Sequence, residues 1–351
     1  MDLDDPQSYR NGDPAGMLER LRGLPEQCQQ AWQETMRFEL PAGYSRIDKV
    51  LILGMGGSAI GGDLISSLAL EEAPAPVIVH RDYALPAFVD ERTLVIASSY
   101  SGNTEETLTA FTAALDTPAM KLVATTGGRL RDLAVQAGVP VFTFGYRAQP
   151  RAALGFSLLP LLGFLQKLGI IRDKSAEVSE TIKVMDDLAG DIGETVPLAR
   201  NAAKRLAVKL HDRLPVIYGG GITAQVARRW KTQINENSKA WAFWEVFPEL
   251  NHNAVVGYEF PGELASRIVV VMLRSSLLGE RVLKRYDITA EILSRAGVEI
   301  EAVDAKGSRP LSQVMSLVFF GDYVSCYLSI LYGVDPSPVK VIDYLKDQLA
   351  K

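Results

Sequence analysis

Histidine and cysteine are scarce in this 351-residue chain, which has only His80, His211 and His252 and only Cys28 and Cys326. The two cysteines are far apart and show no zinc-type or redox spacing, which excludes a disulfide scaffold and fits a reducing compartment. A His-Glu-x-x-His motif or a His/Asp/Cys cluster is equally absent, so no metal site is expected. An excess of either charge is missing as well. The 37 Lys+Arg against 42 Asp+Glu leave a net charge of −5, with no broad cationic field for nucleic acid. The acidic start, Met1-Asp2-Leu3-Asp4-Asp5, lacks the basic and apolar regions of a signal peptide, so a cytoplasmic location is expected. The apolar run Ala152–Gln166 is broken by Gly155, Pro160 and Gly163 and falls short of the ~20 residues that span a bilayer. It reads as a buried helix, and no membrane partner is expected.

What is present is a globular composition, 47 % apolar and 23 % charged, in a chain long enough for two domains. Residues 1–45 read as a helical arm with helices over Ala15–Arg22 and Pro25–Phe38. From Lys49 short β-branched runs alternate with helical segments. Strands are expected at Val50–Leu53, Val77–Val79, Thr93–Ala97, Lys121–Ala124 and Val141–Phe144, and helices at Ser58–Ala69, Thr104–Leu115 and Leu130–Ala137. That alternation is the rhythm of a parallel sheet with helices on both faces. An apolar helix, Arg151–Leu168, closes this domain at about residue 172, and a charged helical stretch, Lys174–Leu198, leads onward. The rhythm then restarts in residues 173–336. Strands Val216–Tyr218, Arg267–Met272 and Val298–Val303 are separated by helices around Ala224–Asn235, Gly279–Ala296 and Leu311–Leu331. Residues 337–351 form a final helix.

An internal repeat ties the two halves together. Leu51-Ile52-Leu53-Gly54-Met55-Gly56 matches Val216-Ile217-Tyr218-Gly219-Gly220-Gly221 as a strand followed by Gly-x-Gly, and a hydroxyl follows in each copy, Ser58 and Thr223. In the first copy, glycines after the strand let the backbone approach an anion, and a helix starting near Ser58 offers unpaired N–H groups. The match Gly54-x-Gly56-x-x-Ala59, with Asp82 at a suitable distance for a ribose, also fits a relaxed dinucleotide fingerprint, so a nucleotide-dependent oxidoreductase stays open at this point. A second loop favours a phosphate monoester. Ser98-Ser99-Tyr100-Ser101-Gly102-Asn103-Thr104 places five hydroxyls in seven residues at a strand's carboxyl end, more than a turn and a Thr104 helix N-cap require.

The Gly56-Gly57-Ser58 turn and the Ser99–Thr104 loop resemble those of sugar isomerase (SIS) domains. Gln149-Pro150-Arg151, Asn235-Glu236-Asn237-Ser238-Lys239, Pro248-Glu249-Leu250-Asn251-His252-Asn253 and Asp335-Pro336-Ser337-Pro338 resemble the bifunctional phosphoglucose/phosphomannose isomerase family. The resemblance runs from about Lys49 to the end. It implies an α/β fold of two tandem SIS-type domains, each a parallel sheet flanked by helices in three layers. It also implies reversible aldose–ketose isomerisation of glucose 6-phosphate and mannose 6-phosphate with fructose 6-phosphate through a cis-enediol, without metal or other cofactor.

By the same resemblance Gly57, Ser58, Ser99, Ser101 and Thr104 bind the substrate phosphate, and Glu236 is the proton-transfer base. His252 is the ring-opening acid/base, its ordinary pKa of about 6.5 suiting exchange near neutrality. It comes from the partner subunit, which implies a homodimer. Arg151 faces the enediolate oxygens, and Lys346 is the near-terminal active-site lysine. Lys346 falls near one edge of a face formed by Val339, Ile342 and Leu345, with Lys340 on the same helix as the alternative. Trp241-Ala242-Phe243-Trp244 reads as core or dimer surface, and Ser337 is left without a role. A non-catalytic phosphosugar-binding regulator would need the loops but not Glu236, His252, Arg151 and Lys346.

Overall fold

Short runs of β-branched and aliphatic residues with no polar alternation form strands that are buried on both faces, and this chain has two sets of them. The computed structural model describes residues 1–349. Three helices come first, α1 (Pro6–Gly12), α2 (Met17–Arg22) and α3 (Leu24–Arg37). The first strand set follows as β1 (Lys49–Leu53), α4 (Gly56–Ala69), β2 (Val77–His80), β3 (Thr93–Ser99), α5 (Glu105–Leu115), β4 (Met120–Thr125), α6 (Gly128–Gln136), β5 (Val141–Thr143) and α7 (Leu154–Lys167). After α8 (Ser175–Ile192) and α9 (Ala202–Leu210) comes the second set: β6 (Leu214–Gly220), α10 (Ala224–Ser238), β7 (Phe243–Phe247), α11 (Gly262–Ala265), β8 (Ile268–Arg274), α12 (Glu280–Arg295) and β9 (Glu299–Asp304). Helices α13 (Pro310–Tyr332) and α14 (Lys340–Leu349) end the described chain.

Both sheets are parallel, in the orders β2-β1-β3-β4-β5 and β7-β6-β8-β9. In such orders the chain winds one way from one central strand and the other way from its neighbour, so a crevice opens at their carboxyl ends. In the first sheet those neighbours are β1 and β3, paired with Leu53 opposite Ala97. The loops after them, 54–57 and 100–104, therefore flank one crevice. In the second sheet the corresponding strands are β6 and β8, with Tyr218 opposite Met272. Among the described residues the second sheet has no counterpart of β5, and beside its edge strand β9 lies a cavity of about 480 Å³ bordered by Leu206, Lys209, Val303, Leu317 and Phe320. None of the expected site residues lines it.

The chain divides into one unit of Gly23–Met185 with Gly307–Val314, holding the first sheet, and another of Met1–Arg22, Asp186–Lys306 and Met315 onward, holding the second. These limits fall elsewhere than the expected breaks at 45, 172 and 336, because the arm is shared out. Helix α3 belongs with α7: the Gln27 side chain donates to Ala152 O (2.9 Å) and accepts from Gly155 N (2.6 Å). Helices α1 and α2 belong with the second sheet, where the buried Lys204 ammonium donates to Leu3 O (2.6 Å) and Glu194 O (2.9 Å) and lies over the Tyr9 and Tyr327 rings.

Four elements depart from the sequence reading, one of them the short helix α11, which no sequence pattern marked. Helix α1 lacks apolar periodicity and starts instead on the Asp5 cap, whose side chain accepts from Gln7 N. Helix α9 starts on Asn201, whose side chain accepts from Lys204 N, in a stretch given no element from sequence. The aromatic run enters edge strand β7, with Trp241 77 % and Phe243 46 % exposed, so neither belongs to the core. Helix α13 is long and apolar enough to cross a membrane, but 89 % of that stretch is buried in the protein. It is a core helix.

Helix α13 is joined to α10 by a buried ion pair. Arg229 donates to both Asp322 oxygens, Nε at 3.2 Å and Nη2 at 2.6 Å, with side-chain exposures of 2 % and 1 %. Along the same seam Trp230 Nε1 donates to Leu317 O (2.9 Å), Asn237 Nδ2 to Ser325 Oγ (2.9 Å) and Ser238 Oγ to Ser325 O (2.7 Å). Removing one partner of such a pair strands a charge in the interior. Arg229→Leu is expected to lose about 3–5 kcal/mol in urea unfolding, and the double variant Arg229→Met/Asp322→Leu much less than the sum of its single changes. An unchanged urea midpoint for Arg229→Leu would show that the pair does not hold the helices.

Candidate active site

The crevice of the first sheet is lined by hydroxyls whose bonding is asymmetric. Ser58 Oγ accepts from Tyr100 N (2.9 Å), and Ser101 Oγ accepts from Asn103 N (3.2 Å). Ser99 Oγ accepts from Gly102 N (3.2 Å) and shares one proton with Thr104 Oγ1 at 3.0 Å. Each serine thus uses an acceptor lone pair on the loop itself. Of the four hydroxyl protons, only the one between Ser99 and Thr104 goes to a neighbouring hydroxyl, so the set is weighted toward donation. Thr104 occupies the N-cap position of α5, but its side chain makes no capping bond. The N-cap explanation therefore fails for its hydroxyl.

Backbone packing fixes this loop. Gly102 is left-handed (φ +65°), and a Cβ there would lie 1.8 Å from Gly127 O, so only glycine fits. Leu130 N donates to Gly102 O (2.9 Å), and Thr126 donates to Tyr100 O through its backbone N (3.2 Å) and its hydroxyl (2.7 Å). The Asn103 side chain accepts from Arg129 N (3.1 Å). Tyr100 reaches further: its hydroxyl donates to Tyr146 O (2.6 Å) and accepts from Ala148 N (2.7 Å), anchoring the segment that leads to Arg151.

Arg151 sits in a 3-10 turn, Pro150–Ala152, ahead of α7, and is 3 % exposed. A solvated first-turn arginine is thereby excluded. Its backbone passes so close to α4 that a Cβ on Gly57 would lie 2.9 Å from Arg151 N and Pro150 O. The first-sheet unit therefore collects Gly57, Ser58, Ser99, Ser101, Thr104 and Arg151. Asp82, the ribose candidate of the dinucleotide alternative, instead accepts from Tyr83 N (2.7 Å) in an exposed turn.

The duplicated loop of the second sheet has been closed. Gly221 repeats the left-handed conformation of Gly56 (φ +51° and +50°), yet nothing lies within 4 Å of a Cβ placed on Gly56, whereas Leu278 Cδ2 lies 2.9 Å from one on Gly221. Thr223, the partner of Ser58, is fully buried; its hydroxyl accepts from Gly220 N (2.9 Å) and donates toward Gly220 O (3.0 Å) and Leu273 O (3.1 Å). The Thr223 hydroxyl thus has no proton left for an anion.

The second-sheet unit carries the other expected residues. Glu236, half-buried, lies in the last turn of α10, and Lys239 follows as the left-handed C-cap (φ +53°). His252 is exposed at the end of a 3-10 turn, Glu249–His252. That turn is held from behind, as Asn251 Nδ2 donates to Thr289 Oγ1 (2.8 Å) and Arg285 to Asn251 Oδ1 (3.2 Å). Ser337 is buried, its N–H donating to Asp335 Oδ1 (2.8 Å). Lys340 and Lys346 both lie on α14, where the expected packed face is uncovered: Ile342 is 39 % and Leu345 56 % exposed, and α14 has no buried residue. Among the described residues no group of three His, Cys, Asp or Glu is placed to hold a metal ion. Cys28 is fully buried, which pushes its thiol up to about 12.

Residues that sequence reasoning passed over are Tyr100, whose hydroxyl works as an anchor, and Lys239. Neither carried a local signal beyond its motif.

Comparison with known proteins follows the same division. Residues 199–349 match the bacterial phospho-glucose isomerase C-terminal SIS domain. A bifunctional phosphoglucose/phosphomannose isomerase of Caldicellulosiruptor bescii is 46 % identical over 336 residues, 95 % of this chain and 99 % of that protein. One from Aquifex aeolicus is 37 % identical, covering 86 % of this chain and 90 % of its own. Among solved structures, the C-terminal domain of glucosamine-fructose-6-phosphate aminotransferase from Francisella tularensis superposes with a TM-score of 0.73 at 15 % identity, covering 92 % of this chain and 98 % of that one. That likeness extends the tandem SIS fold to both sheets. With near-full-length identity of this order, the chain belongs to the bifunctional phosphoglucose/phosphomannose isomerase family.

Proposed function

We propose that this protein interconverts fructose 6-phosphate with glucose 6-phosphate and with mannose 6-phosphate. The observation that carries the reading is the 46 % identity, over 95 % of the chain, to a protein named for both isomerase activities. The donor-weighted cradle around Gly56 supports it. Neutral hydroxyls and first-turn amides suit a small phosphate monoester, which needs many hydrogen bonds and no base recognition.

In this reading Ser58, Ser99, Ser101, Thr104 and the Gly57 backbone hold the phosphate. His252, supplied by the partner subunit of a homodimer, opens the sugar ring by passing a proton between the ring oxygen and the C1 or C2 hydroxyl. Glu236 then removes a proton from C1 of the open ketose, the electron pair forms the C1–C2 double bond of a cis-enediol, and the C2 oxygen takes up the negative charge. Arg151 and Lys346 stabilise that oxyanion as fixed cations. A proton then passes from O1 to O2, the O1 electron pair forms the C1 carbonyl as the carbon-bound proton is returned to C2, and the face of C2 that receives it decides between glucose and mannose. The chemistry needs no redox cofactor, since the hydrogen stays within one molecule, and the reading assigns no metal. A cytoplasmic setting suits such a substrate.

Three measurements bear on this reading. Glu236→Gln is expected to lower kcat on fructose 6-phosphate by about 10²–10⁴ with KM little changed; retention of most kcat in a folded protein removes Glu236 from the mechanism. Ser101→Ala deletes one hydrogen bond to a charged ligand, worth about 1.5–3 kcal/mol, so KM should rise roughly ten- to hundredfold at near-constant kcat. An unaltered KM would take Ser101 out of the cradle. An NMR time course of fructose 6-phosphate with chelator present should show both aldoses. One aldose alone would narrow the activity, and tight binding with no turnover would favour a sensor.

A further inference from the structure

We infer that Lys239 is a positioning residue whose ammonium group holds the Glu236 end of α10 against the loop carrying Ser337. The inference rests on the proposed reaction, in which Glu236 is the base. Lys239 adopts a left-handed backbone conformation, φ +53° and ψ +28°, at a helix C-terminus where glycine is the usual occupant because a Cβ is disfavoured. The side chain accounts for a lysine there. Its Nζ lies 2.8 Å from Glu236 O and 3.2 Å from Asn237 O, two carbonyls of the last helical turn. The same nitrogen lies 2.7 Å from Asp335 O and 3.1 Å from Pro336 O.

Three ammonium protons thus serve four carbonyls from two segments separated by nearly a hundred residues. The second segment has few backbone donors of its own, because two of its four residues, Pro336 and Pro338, have no backbone N–H and the Ser337 N–H goes to Asp335 Oδ1. Its Ser337 is 4 % exposed, so the segment is packed where Lys239 holds it. Next to the ammonium, Asn235 Nδ2 donates to Ala240 O (2.8 Å), closing the other side of the helix end. The cation also faces the negative end of the α10 dipole, which favours it there. A base that must reach two adjacent carbons of one substrate loses rate when its backbone shifts by a fraction of an ångström. Lys239 fixes that backbone without touching the reacting atoms.

The test compares Lys239→Met, Lys239→Gly and Lys239→Cys in the full chain, with fructose 6-phosphate as substrate. Lys239→Met should lower kcat ten- to hundredfold while KM stays within threefold, since the phosphate is held by other loops. Lys239→Gly removes the ammonium but relieves the left-handed backbone, so it should show the same kcat loss with an unchanged or higher melting temperature. Alkylating Lys239→Cys with bromoethylamine rebuilds an ammonium at nearly the original reach and should restore most of the lost kcat. Cys28 and Cys326 are both buried, so the reagent meets the new thiol. If Lys239→Met does not fold, the glycine variant and the alkylated cysteine variant decide. Full kcat in Lys239→Gly, or no gain on alkylation, would overturn the inference. Glu236→Gln, assayed alongside, separates the two claims: an active Glu236→Gln defeats the assignment of the base, whereas an inactive one with a fully active Lys239→Gly defeats only the role of Lys239.

Discussion

The second-sheet unit depends on one buried ion pair. Arg229 and Asp322 lock α10 to α13 in a single register, because a bidentate guanidinium–carboxylate contact tolerates neither a slide nor a rotation of either helix. Every later contact along the seam follows from that register. Trp230 stands against Gly321, where any Cβ would collide with the indole, and Asn237 and Ser238 meet Ser325. Glu236 emerges at the far end of this seam. Its place is therefore set two turns away, by the Arg229–Asp322 pair.

The two sheets show how one duplicated design was divided between tasks. Both copies keep the strand, the tight Gly-x-Gly turn and the left-handed glycine, since the turn is needed to enter the following helix in either case. What differs is the occupant of the crevice. In the first copy the serines accept from backbone N–H groups of the loop, which leaves protons to give, and the space over Gly56 is open. In the second, Leu278 fills that space and Thr223 spends its hydroxyl on backbone carbonyls. Burial of an apolar side chain thus closes the second loop, and in the proposed reading Glu236 and His252 serve that copy from other elements.

Much of this was readable from local pattern. The alternation of β-branched runs and helices, the repeated Gly-x-Gly and the hydroxyl cluster after β3 each carry their signal within about ten residues, and the parallel sheets and the cradle loop formed as expected. The features that escaped depend on distant partners. Nothing near Gln27 announces that its amide will brace Ala152 and Gly155, and nothing near Leu278 says that it will plug the loop after β6. The division of the 1–45 arm between the two units escaped for the same reason, since the attachment of α1 and α2 runs through the buried Lys204. The uncovered face of α14 shows the converse: helical spacing of Val339, Ile342 and Leu345 indicates an apolar face and is silent on what that face meets.

The hydroxyl cradle has a further consequence for how the protein responds to its surroundings. Serine and threonine hydroxyls and backbone amides gain or lose no proton between pH 5 and 8, and the neighbouring Arg151 keeps its charge throughout. With a sugar phosphate bound there, as proposed, the titrating species is the ligand, whose phosphate passes from monoanion to dianion near pH 6. Occupancy then follows the ionisation of the sugar phosphate rather than that of the protein. Because most of the grip comes from neutral dipoles, it also weakens little as salt rises, in contrast to sites built from lysine clusters.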